Sequence, residues 1–493
     1  MRTILGIDLG TSSVKGMLLD AERGIIACAA TEYAVEIPAA GYAEQDPEMW
    51  WNAVLRTLGK LKEKNPPAMG SITAVGLSGQ MHGLVMVDDR GKAVRPAIIW
   101  LDQRSWMQTK QIADRVSEKE MGKIFHNRVF TGYAFPSLLW VRDNEPDNYD
   151  KTASIMLPKD YIRMKLTGEI GTDASDASSS CLMDERRREW AWDIIDRFHL
   201  RREIFPDIHE AWEISGQITA DCAVETGLRR DIPVVYGCGD QPAQGLGNGQ
   251  IKEGDVICNI GTGGQISAYS EADRYDPKLR LQTFCHAVNR GYTVFGATLC
   301  AGMSMKWAKN QILQLDSYEQ ANEMAGEIAP GCTGLLYLPY LCGERTPLMN
   351  SSVSGAFWGL KLCHDRRHMV RAVMEGVVYS LKDSLQIFAE NQIPASKVIA
   401  SGGGANSQVW LKMQADIFEL PVVTSVLSEQ ACLGACLVAG IGTGIFASAE
   451  DACGRFTGIE ERIYEPDWKN ACQYREMYAK YREVSDMISA NNN

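Results

Sequence analysis

A carboxylate and a run of hydroxyls crowd one short turn, Asp8-Leu9-Gly10-Thr11-Ser12, set between the apolar run Thr3 to Ile7 and a second run, Ser13 to Leu19. The pattern reads strand, tight turn, strand. Gly10 can take backbone angles that other residues avoid, and the turn amides with the hydroxyls of Thr11, Ser12 and Ser13 can face an anion such as phosphate. Asp8 facing the same phosphate implies a cation between them, and Mg²⁺ fits that role. Taken alone, the turn is better read as an ordinary Asp-Gly hairpin at a sheet edge. The device recurs, however: Asp255 to Ile260, then Gly261-Thr262-Gly263-Gly264, then Gln265 to Tyr269. Two halves that each begin with the same turn predict two domains facing one nucleotide.

Three further places could carry chemistry. Asp240 follows the strand-like Ile232 to Tyr236 in the turn Gly237-Cys238-Gly239-Asp240-Gln241-Pro242, at the mouth of a helix from Ala243 to Gly247. It is either a carboxylate on the wall of an interdomain cleft, a helix N-cap, or both. The polar cluster Ser78-Gly79-Gln80-Met81-His82-Gly83 lies between the strands Ile72 to Leu77 and Leu84 to Val87 and has the make-up of a site loop. Ser401-Gly402-Gly403-Gly404-Ala405, before a helix from Asn406 to Phe418, would let a flat or anionic ligand touch backbone. A dinucleotide fingerprint is missing, because Pro242 and Ser407 stand where its third glycine would be, and there is no Walker A sequence. Asp102 with Arg104 reads equally as an ion pair or as ligand contacts. Glu344 with Arg345 reads first as a structural turn pair.

The elements that must position these residues are legible in outline. A chain of 493 residues exceeds one core, so two domains are expected, divided at 248/249, with a helical tail from Arg455 to Asn493 on the second. Asp46 and Pro47 suit the start of a helix within Glu44 to Leu61, and Trp50 with Trp51 suits its buried face. Residues 105–207 read as an insertion elaborating the first domain, with helices near Trp106 to Arg115 and Lys159 to Thr167. Gly302 to Gln311 reads as a helix whose Met303, Met305 and Trp307 pack, and Arg366 to Glu390 as a long amphipathic helix. Lys plus Arg number 50 against 62 Asp plus Glu, a net charge of -12 without long runs, which argues against nucleic acid or an anionic membrane as partner. The 14 cysteines lack paired CxxC spacing and fit a reducing cytoplasm. Met1-Arg2-Thr3 runs directly into a strand with no signal-peptide pattern. The apolar window Leu433 to Ala449 is too short to span a bilayer and reads as a packed helix with a Gly-rich end.

Together these residues resemble the FGGY family of carbohydrate kinases and, within it, its xylulokinase branch, along essentially the whole chain. Gly6-Ile7-Asp8-Leu9-Gly10-Thr11, the sugar loop Gly79 to Gly83, Gly343-Glu344-Arg345-Thr346-Pro347, the stretch Gly355 to Gly376 and Gly402-Gly403-Gly404 carry the likeness. It implies an α/β fold of two actin-like, ribonuclease H-like ATPase domains with an active-site cleft between them. Residues 1–248 would hold the sugar and the base, and 249–493 the nucleotide. Carried over by position, Asp240 is the catalytic base, and Asp8 is the catalytic and metal-binding acid. Gln80, Met81, His82, Asp240 and Gln241 would contact the sugar. Thr11, Ser12, Gly261, Thr262, Gly263 and Gly264 would hold phosphates, and Gly403, Gly404 and Asn406 the adenosine. The expected ligands are ATP, Mg²⁺ and a ketopentose, D-xylulose first; D-ribulose, L-ribulose and glycerol are alternatives, and a homodimer is left open. An actin-like ATPase without sugar chemistry, or a sugar sensor, is the different-class alternative. Two departures stand out: Ser137 where the family often has Lys, and Leu101 where xylulokinases have Asn, which bears on the choice of sugar.

Overall fold

Every residue of strand Thr3–Leu9 is buried, and its near-continuous apolar run marks it as the covered centre of a sheet. It pairs antiparallel with Ser13–Asp20 and parallel with Ile72–Gly79. In this computed structural model, which describes residues 2–427 and 429–491, that sheet runs in the order Ile214–Gln217, Pro233–Val235, Ile72–Gly79, Thr3–Leu9, Ser13–Asp20, Gly24–Glu32. A short strand, Cys238–Gly239, also joins Ile72–Gly79. Met1 and the last two residues of the expected tail lie outside the described residues.

The second sheet has the order Gln282–Cys285, Tyr292–Thr298, Gly264–Ser270, Gly254–Ile260, Ala395–Ser401, Val422–Thr424. Both sheets share one inner plan: an antiparallel three-strand meander whose first strand then takes two parallel strands on its other side. The repeated strand-turn-strand pattern is therefore the head of a repeated fold, the paired actin-like architecture expected from the sequence.

Glycines set how the helices sit on these sheets. Helix Gln430–Gly442, late in the chain, lies on the first sheet, because a Cβ at Gly76 would stand 2.0 Å from the Ala435 carbonyl oxygen and one at Gly6 2.4 Å from that of Cys432. The same helix meets helix Asp240–Gly247 through Gly434 and Gly247, each of whose Cβ atoms would lie 2.0 Å from a carbonyl oxygen of the other helix. The Gly/Ala-rich window is thus a helix pressed between the first sheet and the helix that begins with Asp240. Among the described residues no helix is long and apolar enough to cross a membrane.

Local expectations shift in detail. The first long helix is Pro47–Lys64, with Asp46 accepting from the Glu48 N–H; Glu44–Gln45 is instead a short strand against Ala97–Ile98. Asp102 and Arg104 form a buried ion pair, with the Arg104 Nε 2.9 Å from Asp102 Oδ2 and its Nη1 2.6 Å from Glu44, so their role is structural. The tail helix Trp468–Asn491 packs on the second sheet's unit, where the hydroxyls of Tyr481 and Tyr340 lie 2.9 Å apart.

Candidate active site

Register brings the two leading acids to one edge. Asp8 pairs with Ser78 on the neighbouring parallel strand, and Ser78 pairs with Cys238 on the next. Leu9, Gly79 and Gly239 follow in line, so the chain leaves the third strand into Asp240 beside the turn that Asp8 enters. These are the carboxyl ends of parallel strands, where open α/β sheets bind ligands.

Asp8 is buried and accepts from the Ser78 hydroxyl at 3.0 Å. Burial raises its pKa, against the opposing pull of Ser78 and Lys15. Gly10 serves by close approach, with the Ser13 carbonyl oxygen 3.2 Å from where its Cβ would be; its φ is not in the left-handed region that the sequence suggested. Thr11 accepts from Trp100 Nε1 at 2.9 Å, and Ser12 is exposed at the tip.

Asp240 is the first residue of its helix; the capping position is Gly239, so its carboxylate is not the N-cap. Desolvation pushes its pKa up to about 7, with the charge of Asp8 adding and the Gln241 N–H opposing. Gln241, partly exposed, follows it on the helix. Met81 lies against Gly239, where a Cβ would stand 2.7 Å from Met81 Cγ, and its other side packs on Phe284 and Phe295 of the second sheet. His82, at φ 73°, stacks on Tyr133 with ring centroids 4.0 Å apart. Its Nδ1 lies 2.8 Å from the Ser179 carbonyl oxygen, and burial drives its pKa down to about 4. The ring is therefore neutral with its proton on Nδ1, leaving Nε2 as an acceptor. Gln80 departs from expectation: it is buried behind the loop, its Nε2 donating to Gln45 Oε1 at 2.9 Å, so it supports the loop from within.

The second turn opens on a cavity of about 730 Å³ lined by Gly261, Thr262, Gly403, Gly404 and Asn406. This volume is of the size that holds a nucleoside. Gly263 and Gly264 do not line it; they turn back into the sheet, and a Cβ on Gly264 would stand 2.7 Å from Thr298 Oγ1. Met305 and Trp307 pack as expected, Met305 in the core and Trp307 against Tyr337, and with Met303 they also line the cavity, because helix Gly302–Trp307 starts directly on the turn, with the Gly302 N–H bonded to the Gly261 carbonyl at 2.9 Å. The counterpart of Asp8 on this side is Asn259, paired with Ser401 as Asp8 is with Ser78.

Glu344 accepts from the N–H groups of Leu299 at 2.9 Å and Arg345 at 2.8 Å, a structural role. Arg345 makes no ion pair with it among the described residues; it is exposed, and its charge helps depress the pKa of His82. The sequence offered no sign of Tyr133, Trp100 or a buried cluster at Lys159, Asp173 and Ser175, whose residues look like ordinary polar surface in one dimension.

For a metal, the described residues contain no group of three or more His, Cys, Asp or Glu arranged to hold an ion unaided. Asp8 and Asp240 are two acids sharing one edge, the first raising the pKa of the second, a repulsion that a divalent cation carried by phosphate oxygens would relieve.

Residues 3–247 match the FGGY family of carbohydrate kinases, N-terminal domain, and residues 256–443 its C-terminal domain. A xylulose kinase of Lactococcus lactis is 36% identical over 485 residues, 98% of this chain and 96% of the relative. That of Bacillus subtilis is 35% identical over 98% of this chain and 97% of its own length. The crystal structure of a xyloylose kinase from Brucella ovis superposes with a TM-score of 0.93 at 31% identity, covering 99% of each chain.

Proposed function

This chain belongs to the FGGY family of carbohydrate kinases, and we propose that it transfers the γ-phosphoryl group of ATP to the terminal hydroxyl of a ketopentose, D-xylulose first, giving D-xylulose 5-phosphate. The observation that carries this is the strand register: it brings Asp8 and Asp240 to one edge of the first sheet with one strand between them and Met81 against Gly239, while the second hairpin opens on a cavity of its own.

Asp240 accepts the proton of the attacking hydroxyl as the new bond forms. The neutral ring of His82 offers Nε2 to a sugar hydroxyl, and its stacking on Tyr133 fixes that direction. Thr11 and the turn amides of Gly261 and Thr262 hold phosphate oxygens, while Gly403, Gly404 and Asn406 hold the adenosine. Asp8, together with phosphate oxygens, would hold Mg²⁺, which would supply charge neutralisation on the transferring group. The cytoplasm, where ATP is made available, is the proposed compartment.

The test is a steady-state comparison of D-xylulose, D-ribulose, L-ribulose and glycerol with ATP, in the wild type and in His82→Ala. Each buried polar group left unpaired costs about 1 to 3 kcal/mol, so glycerol should trail D-xylulose by orders of magnitude in kcat/KM. Leu101, 42% exposed and without a hydrogen-bonding group, should allow D-ribulose partial activity. If glycerol is the best substrate, or if His82→Ala leaves the ranking untouched, the ketopentose assignment is wrong.

A further inference from the structure

Behind Asp240 lies a buried charged cluster that the chemistry above does not use. Lys159 Nζ is 2.7 Å from Asp160, 2.7 Å from Asp173 and 3.5 Å from Asp176, and all four residues are fully enclosed. Burial opposes the charge on Lys159, yet the three carboxylates override it and its pKa lies above the ordinary value. Removing so many charges from water costs several kcal/mol per ion, and well-packed apolar residues commonly serve stability as well or better. The cluster therefore calls for a reason beyond core stability.

Asp176 reaches the His82 backbone through Ser179, and a second relay leads to Asp240. Asp173, held by Lys159 through Oδ1, accepts through Oδ2 from the hydroxyl of Ser175 at 2.5 Å and from the Ser175 N–H at 2.8 Å. A serine hydroxyl has one proton to give. With that proton committed to Asp173, a lone pair of Ser175 Oγ is left to accept the Gly239 N–H, at 3.1 Å. Gly239 immediately precedes Asp240 and caps its helix. Ser175 is itself 1% exposed, so no water competes for that bond.

We propose that Ser175 is a positioning residue for the phosphoryl acceptor. Oriented by Asp173, which Lys159 holds through Oδ1, it anchors the Gly239–Asp240 peptide so that the Asp240 carboxylate meets the sugar hydroxyl. The proposal rests on Asp240 being the base. Displacement of a reacting group by about 1 Å can cost on the order of 10²-fold in rate. The backbone anchor supplies that precision without touching substrate.

The experiment compares Ser175→Ala, Ser175→Cys, Ser175→Thr and Asp240→Asn in the full chain. In Ser175→Ala, kcat with D-xylulose should fall about 10- to 100-fold, while the KM for ATP stays within about twofold of wild type and amide exchange at Gly239 quickens. Ser175→Thr, which keeps the hydroxyl, should recover most of the rate; Ser175→Cys, a weaker acceptor in the same place, should fall between and carries the test if the alanine variant does not fold. Near-normal kcat in Ser175→Ala beside an inactive Asp240→Asn overturns the positioning role. So does a folded Ser175→Thr no better than alanine, or an ATP KM that worsens in step with kcat. An active Asp240→Asn instead sinks the assignment of the base, a separate outcome.

Discussion

Asp240 shows how far environment can move one residue from its intrinsic chemistry. A free aspartate with a pKa of about 3.9 would be ionised throughout the neutral range and would be a weak base. Desolvation at the edge of the first sheet, with Asp8 adding, pushes it up to about 7. Proton affinity near the working pH favours general-base catalysis, but only the deprotonated form acts. The kcat/KM for sugar should therefore rise with pH along an acid limb centred near 7 and level off above it. Asp240→Asn should erase that limb and lower turnover by about 10² to 10⁴ while sugar binding survives. A flat profile from pH 5.5 to 8 in the wild type, measured by a coupled ADP assay, would contradict the raised pKa.

Among the elements, the pair of helices Gln430–Gly442 and Asp240–Gly247 has the least room. Their contact and the seating of the first on the sheet depend on absent side chains, at Gly76, Gly6, Gly434 and Gly247. Gly76→Ala would place a methyl 2.0 Å from the Ala435 carbonyl oxygen, where backbone must move. Overpacking of this kind costs typically 1 to 3 kcal/mol, and with backbone on both sides about 3 kcal/mol or more is expected. Because the displaced helix bears on the one that begins with Asp240, kcat should fall as well. Gly59, exposed in the interior of helix Pro47–Lys64 with open space at its Cβ position, makes the control: Gly59→Ala should raise stability by about 0.5 to 1 kcal/mol. Urea titrations of both variants check the pair.

Across the whole molecule, the insertion reaches from the first half to the outer edge of the second sheet. The side chain of Asn127 closes on the Thr283 peptide through two hydrogen bonds, 2.5 Å to its carbonyl and 2.9 Å from its N–H, and His126 Nε2 lies 2.9 Å from Asp273. Burial opposes a charge on His126, but Asp273 and Glu185 outweigh it and bring its pKa up to about 9. A folded-state pKa above the unfolded 6.5 means that this contribution is fully present below about pH 6.5 and is lost as pH rises through about 9. Wild-type stability should therefore decline over that window, and the profile of His126→Ala should differ from it, because the histidine's contribution is gone and Glu185 is left buried without the partner that lowers its pKa; thermal melts at pH 6 and pH 9.5 would reveal it. Equal slopes in the two proteins would leave the strap without a titrating component.

The features legible in one dimension were those encoded within a few residues. Both strand-turn-strand heads, the cap at Asp46, the amphipathic Arg366–Glu390 helix and the acid Asp240 after its strand all announce themselves by local pattern, and the family likeness joined them into a kinase. What the sequence left open was which way side chains turn and what they meet. Met303, Met305 and Trp307 have the same apolar spacing whether they only pack or also line a cavity, and Gln80 carries no sign that Gln45 will claim its amide. Ser175 lies 64 residues from Gly239, so their bond exists only once the insertion is folded onto the first sheet. The raised pKa of Asp240 belongs to the same class. Desolvation and the field of neighbouring charges are sums over everything packed around a group, and that neighbourhood is set by tertiary contacts from distant parts of the chain.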